Sequence, residues 1–494
     1  MTDLSSSVKQ LFNYKLLLLY LSLCLIILLK TYFDIDGGLS PDSTFYLRLA
    51  KNLVAGEGFR IADYTSPDGK SFFAIWPVGY PILIFVISKL TGLGVIWASK
   101  VLNLLVIGIV LFVFKHIFEK NVHWAGLMFF VYSTIMIFSY TWSEGPFILF
   151  LLFTSVSLYK CVETNGRILW LIGLFFSGIA LFLIRYIGLF SVSIIGLIAL
   201  VNLLKRSWLL SIKLLIIALF QMIFAGFYLY HNKISTGFMT GMLRSLPEES
   251  NRELLKQLFS ALKEEFIVIH CGIPLTLSFG LLVLLGIYLF RSRGKKQSNK
   301  NNVDLWKYFL LTGILYFGAI VGAKWFSNFM PLDNRYLFPS SFFILLSLAS
   351  YLQGKPSVKI MNLPIVYLVI LTTLTIHYIP HTDYIYKNIT KEINYFQNPN
   401  YIDNSRAILE KYKEVEPKSV VIFGPIHLRY LRDDVIPTDI YNKSSFEDMI
   451  NYFTQKQGWN IYINIRDDLD SHLIHESFIQ FMKTNSDKQL VKLR

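Results

Sequence analysis

Long apolar runs separated by short polar stretches organise this sequence. A helix rises about 1.5 Å per residue, so crossing a bilayer core takes roughly 20 mostly apolar residues. The run YKLLLLYLSLCLIILLKTYF, residues 14–33, meets that length, and so does NLPIVYLVILTTLTIHYIP, residues 362–380. Others lie near 96–118, 124–140, 145–159, 168–183, 188–204, 208–230, 273–290, 305–325 and 336–352, and the last run, taken as a span, covers about 360–379. Together they predict a polytopic α-helical membrane protein with about eleven transmembrane helices.

The polar stretches set the orientation. With the first residues inside, alternate loops carry Lys115 and Lys120, then Lys160 and Arg167, then Lys205 and Arg206. The basic run RSRGKKQSNK, residues 291–300, and Lys355 with Lys359 fall on the same side. Positive loop charge marks the cytoplasmic face, so the amino terminus is expected in the cytoplasm and the carboxyl terminus outside.

Two outer segments are long, about 34–95 and about 231–272. Within the first, SPDSTFYLRLAKNLVAGEG predicts a short amphipathic helix. Tyr46, Leu49, Ala50 and Leu53 share a face at helical spacing, Ser40 and Asp42 suit its start, and Gly56 its stop. Such a helix is expected to lie along the membrane interface. In the second, Leu254, Leu255, Leu258, Leu262 and Phe266 form another apolar stripe. The expected layout is a membrane domain over 1–380 and a small extracytoplasmic α/β domain over 381–494. In the latter, SVVIFG, DVIPTDIY and NIYINIR read as strands, and SFEDMINYFTQK and ESFIQFMKT as helices.

Composition agrees with the membrane reading. Of 494 residues 54% are hydrophobic and 16% charged, where soluble proteins carry roughly 25% charged residues. The net charge of +14 is concentrated in the loops that fix orientation. No basic stripe interleaves with stacking aromatics, so no nucleic-acid partner is expected. Cys24, Cys161 and Cys271 show no zinc spacing and predict no disulfide framework. The long first run, with no small-residue cleavage site after it, reads as an uncleaved span.

Candidate chemistry gathers on the outer face of that topology. Asp42 follows the first span. Glu144, in TWSEGPF, sits at an outer turn, and Arg185 and Tyr186, in LIRYIGL, at another. Lys324 and the run PLDNRYLFP, with Asp333, Arg335 and Tyr336, sit at a third. Charges near span ends cost free energy unless paired or solvated. Taken singly, the arginines are as well explained by snorkelling to headgroups, and Glu144 by gluing helices. Their convergence from separate parts of the chain favours a site.

Five segments in order carry a resemblance: LSPDSTFYLRLAKNLVAGEGF, FFAIWPVGYPIL, WSEGPFILFLL, ALFLIRYIGLF and DNRYLFPSSFFILL. In this order the chain resembles the GT-C glycosyltransferases, in particular bacterial relatives of protein O-mannosyltransferases and of the aminoarabinose transferase of lipid A. The resemblance spans about the first 355 residues and, more loosely, the tail. It implies transfer of a sugar from a polyprenyl-phosphate donor to an acceptor hydroxyl on a lipid, glycan or protein. It also implies Asp42, the acid of the first outer loop, as general base. The family often carries a second acid beside it, where this chain has Ser43, so a two-carboxylate metal site is not indicated; a divalent cation stays compatible.

The residue types suit that chemistry. A carboxylate takes the acceptor's proton as its oxygen attacks the anomeric carbon. Arginine or lysine stabilises the charge gathering on the leaving phosphate. The expected site is therefore Asp42 as base and Arg185, Arg335 and Lys324 on the donor phosphate. Glu144, Tyr46, Tyr186, Tyr336 and Asp333 are expected to support them. The prenyl chain and membrane lipid are the apolar partners, with FFAIWPVGYP either at the groove mouth or in an interfacial aromatic belt. A polymerase or ligase of lipid-linked glycans is the first alternative and a transporter the second; a transporter more often shows repeated halves and midplane charges.

Overall fold

The computed structural model describes residues 14–33, 38–62, 69–119, 122–130, 132–241, 249–266, 304–327, 332–353, 407–425, 427–432, 434–438, 460–465, 476–486, 488 and 490–493. The expected spans at 273–290 and 360–379, the basic run 291–300, Lys355, Lys359 and the SFEDMINYFTQK helix lie outside these residues. The chain forms two compact units. One holds Met1–Thr31, Lys100–His231 and Met242–Tyr395; the other holds Tyr32–Ser99, Asn232–Gly241 and Phe396–Arg494.

The first unit is a helical bundle. Among the described residues, five helices are long and apolar enough to cross a membrane: Val95–Phe118, Glu144–Glu163, Tyr186–Leu204, Trp208–Thr236 and Leu305–Phe326. Shorter apolar helices include Leu16–Thr31 and Ile168–Ile184. The first span shows the logic. Leu23 and Ile27 are buried, while Leu18, Leu21, Leu25 and Leu29 are exposed on the opposite side. On Trp208–Thr236, Leu209, Ile212, Leu219, Phe220 and Phe227 are exposed in the same way. So much bare apolar surface suits lipid and would drive association in water.

Lipid tails are as apolar as leucine, so the helices associate through close packing and hydrogen bonds. Thr154 Oγ1 donates to Ser177 Oγ at 2.9 Å, and Ser155 and Thr312 hydroxyls meet at 2.9 Å. Ser340 Oγ donates to the Gly313 carbonyl at 2.8 Å and Ser347 Oγ to that of Trp306 at 2.8 Å. A Cβ at residue 313 would come within 3.0 Å of the Ser340 carbonyl oxygen, so glycine permits this approach. Gln221 Nε2 reaches the carbonyls of Leu174 and Phe175 at 3.0 and 3.3 Å.

The apolar run at 124–140 is not one straight helix. It is broken into Val122–Gly126, a 3₁₀ turn at Leu127–Phe130 and Tyr132–Ser139. At the end of the last piece three buried side chains collect its final carbonyls. Thr31 and Lys100 donate to Ser139 at 3.3 and 2.6 Å, and Asn103 to Phe138 and Tyr140, each at 2.9 Å. Helix ends leave such carbonyls without partners of their own.

The second unit combines segments far apart in sequence. The helix Pro41–Ala55 starts at Ser40 and ends at Gly56, which adopts φ of 80°. It packs on Gly79–Thr91, and β1 (Arg60–Ala62) pairs antiparallel with β2 (Lys70–Phe72). The tail contributes a four-stranded sheet of β3 (Ser419–Ile422), β4 (Val435–Thr438), β5 (Asn460–Asn464) and β6 (Leu490–Lys492), ordered β4-β3-β5-β6. β3 runs parallel to both neighbours, and β6 is antiparallel to β5. Parallel strands are buried on both faces. Val420, Ile422, Ile461 and Ile463 pack with Phe478 on one side, and Val421, Val435 and Tyr462 with Leu428 on the other. The three strand segments read from the sequence all lie in this sheet; β6 had no clear alternation to reveal it.

Candidate functional site

The centre of the first unit is built on one carboxylate. Glu144 opens the helix Glu144–Glu163 and is 1% exposed. Its Oε1 accepts from Arg335 Nε at 2.5 Å and forms an ion pair with Arg185 Nη1. Arg185 also donates to Ser143 Oγ at 3.4 Å. Residues 41 and 191 positions away along the chain thus meet one acidic oxygen. Glu144 Oε2 has no hydrogen-bond partner among the described residues. Two guanidiniums thus share one carboxylate oxygen in a nearly dry place, where charge interactions are strong.

Local structure explains how the partners arrive. Arg185 ends the helix Ile168–Ile184 in an extended conformation, and a 3₁₀ turn, Tyr186–Phe190, follows. A Cβ at residue 188 would lie 2.3 Å from the carbonyl of Leu181, so glycine is needed for that turn to fold back. Arg335 stands at the start of Asn334–Gln353, and Asp333 Oδ1 caps that helix by accepting from the Tyr336 amide at 3.2 Å. Burial raises the Asp333 carboxyl above its usual range, against the opposing pull of the Tyr336 amide and Arg335.

Aromatic rings cover Arg335. The Arg335 guanidinium lies 4.4 Å from the Trp142 ring centre and 5.9 Å from that of Tyr336. Trp142 stacks on Tyr140 at 4.4 Å. Tyr316 sits between Phe147 at 5.7 Å and Phe190 at 5.4 Å. It thereby touches both the helix that carries Glu144 and the turn that follows Arg185. The Tyr316 hydroxyl and Ser191 Oγ are buried without hydrogen-bond partners among the described residues. Together with Glu144 Oε2 they make three buried polar atoms with capacity for a ligand or water.

Other expected members stand apart from this cluster. Lys324 is 1% exposed and donates to Glu249 Oε1 at 2.9 Å; the lysine holds the Glu249 carboxyl below its usual range. Tyr186 joins Phe182 at 5.8 Å and Tyr228 at 6.4 Å, an aromatic trio. The structure thus brings together Glu144, Arg185, Arg335 and Tyr336, with Asp333 as a helix cap. Sequence reasoning missed Glu249, Tyr316 and Trp142. Trp142 adjoins Glu144 in a motif already singled out, and Tyr316 is a hydroxyl inside an apolar run, a signal that such runs offer. Glu249 gave no signal.

Asp42 and Tyr46 belong to the second unit. Asp42 is half-buried in the first turn of its helix. Ser43 Oγ accepts from the Ser40 amide at 3.0 Å while Ser40 Oγ accepts from the Ser43 amide at 3.4 Å, a reciprocal capping box. Ser43 thus serves the helix end. Tyr46 is buried against Tyr80, edge to face at 5.1 Å, and Trp76 at 6.4 Å. Among the described residues no three His, Cys, Asp or Glu side chains gather as metal ligands.

Neither a protein-family model nor a curated protein matches the chain. Solved structures do. ArnT from Cupriavidus metallidurans bound to undecaprenyl phosphate superposes with a TM-score of 0.54 at 11% identity, covering 91% of this chain and 93% of that one. An Archaeoglobus fulgidus oligosaccharyltransferase tethered to an acceptor peptide gives a TM-score of 0.47 at 13% identity, covering 91% of this chain and 69% of that one. The ArnT likeness shows the fold alone: over nine-tenths of its length this chain follows the same polytopic helical architecture as that structure.

Proposed function

We propose that this chain is a membrane glycosyltransferase that moves a sugar from a polyprenyl-phosphate donor to an acceptor hydroxyl at the outer face of the membrane. The observation that carries the proposal is the buried Glu144–Arg185–Arg335 cluster, two guanidiniums on one carboxylate oxygen with Trp142 against Arg335, within a GT-C-type fold. A donor phosphate is the anion such a cluster suits, and the similar ArnT was solved with undecaprenyl phosphate bound.

In this reading Asp42 accepts the acceptor's proton while the acceptor oxygen bonds to the anomeric carbon. The bond from that carbon to the phosphate oxygen breaks, and its electron pair leaves with the phosphate. Arg185 and Arg335 take up the developing charge with N–H donors already fixed by Glu144 and Trp142, so little reorganisation is needed during the step. A single displacement inverts the anomeric centre. Lys324 adds less net charge, because Glu249 already neutralises it.

The test is transfer by the full chain in liposomes, given polyprenyl-phosphate sugars and a membrane glycolipid extract, with products read by mass spectrometry. A sugar-mass increment on an acceptor, lost in Asp42→Asn and Arg335→Ala, is expected. Polymerised glycan from lipid-linked oligosaccharides would point to a polymerase, and solute flux with no glycan product to a transporter.

A further inference from the structure

The Pro41–Ala55 helix is more deeply buried than its amphipathic pattern predicts. A helix resting on a membrane interface would keep Arg48 and Lys51 in water. Arg48 is instead 2% exposed, with Leu47, Leu49 and Ala50 fully buried. One face packs on the Gly79–Thr91 helix through Tyr46 and Tyr80. The opposite face is covered by the carboxy-terminal tail of the same unit.

That second contact is reciprocal. Arg48 Nη1 donates to the carbonyls of Arg429 and Arg432 at 2.9 and 2.8 Å. Lys51 Nζ donates to those of Tyr430 and Leu431, each at 3.3 Å. Four consecutive carbonyls at the end of the short helix Leu428–Leu431 are thus taken by two side chains of the Asp42 helix. In return Arg429 reaches back. Its guanidinium lies 4.1 Å from the Phe45 ring centre, Nη1 donates to Thr44 Oγ1 at 3.2 Å, and Nη2 to the Pro437 carbonyl on β4 at 3.3 Å. Leu39, Leu47 and Tyr430 form a buried apolar patch beside these bonds.

We infer that the tail is a positioning element for the first turns of the Asp42 helix, with Arg429 as the residue that ties those turns to the tail sheet. The inference rests on the proposed role of Asp42 as base. Asp42 has a short side chain, so the place of its carboxylate follows the place of its backbone. Thr44 and Phe45, the two residues Arg429 holds, are two and three positions beyond it. Pro437 lies in β4, which β3 backs in a parallel pair, so Arg429 transmits the stiffness of a sheet to the base. Misplacing a catalytic group by about 1 Å costs on the order of a hundredfold in rate.

The experiment uses the full chain in liposomes, with Arg429→Gln, Arg429→Lys and Thr44→Val. Steady-state kinetics and amide hydrogen exchange across 41–48 are read for each. The expected result for Arg429→Gln is a fall in kcat of about tenfold to a hundredfold, an unchanged KM for the donor, and faster exchange in the first two turns. Thr44→Val is expected to lose less, and Arg429→Lys to recover part of the rate. Wild-type kcat and exchange in Arg429→Gln would overturn the inference. So would a raised donor KM with unaltered exchange, which marks a substrate contact instead. If the wild-type chain transfers no sugar, the proposed function falls, while exchange across 41–48 still decides whether the tail holds the helix.

Discussion

Glu144 in the first unit and Asp42 in the second are both acids at the start of a helix, yet their surroundings differ in kind. Glu144 is buried and bound to two arginines on one oxygen. Asp42 is half-buried in the first turn of a helix whose capping box is made by Ser40 and Ser43. The first acid is a buried counter-ion shared by two cations. The second is the proposed base, in the first turn of a helix whose capping box is made by its neighbours. A catalytic carboxylate benefits from that separation, because its protonation can change without unfolding its support.

The comparison makes graded predictions. Asp42→Asn is expected to lower transfer by about 10²–10⁴-fold with no change in the thermal melting of the purified protein. Melting that fell alongside activity would erase the contrast with Glu144. Glu144→Gln is expected to cost about 3–5 kcal/mol of stability, since it removes the buried carboxylate that two guanidiniums share; a melting curve in detergent reads this directly.

Arg335→Lys keeps the charge but loses the planar face on Trp142 and the fixed fork. Donor KM should rise and kcat fall, by about tenfold to a hundredfold in the combined ratio, with Arg185→Lys showing the same pattern. Ser40→Ala removes one half of the capping box and is expected to cost about 1 kcal/mol. Exchange protection at residues 41–44 should fall with it.

The smallest effect concerns Asp333. Its carboxyl is raised by burial, so its neutral form is favoured in the folded chain. The contribution is fully present below the usual carboxylate range and is lost as pH rises through the raised value. Asp333→Asn keeps an acceptor for the Tyr336 amide and should flatten that part of the stability profile. An unchanged profile would show that Asp333 titrates without coupling to folding.

Much of this was legible beforehand for a physical reason. Span length and the order of five motifs are properties of consecutive residues, and they pointed to a polytopic helical fold of the kind that the ArnT likeness shows. Ser40 and Gly56 announced the ends of the Asp42 helix because capping is local. Glu144, Arg185 and Arg335 stood out as charges at span ends. Their sharing of a single oxygen did not, nor did the pairing of Lys324 with Glu249, because both depend on how separate helices pack.

The same line divides the second unit. The sequence by itself determined that residues 41–55 form a helix with one apolar stripe and that the tail carries strands. It led to the expectation of a helix lying along the membrane interface. Only the tertiary structure decided that the helix's opposite face is covered, with Arg48 and Lys51 spent on four tail carbonyls and Arg429 returning to Thr44 and Phe45. A partner some 380 residues away leaves no periodic trace in the helix it covers. A charged side chain is equally well placed to meet water or the unsatisfied carbonyls of another helix end.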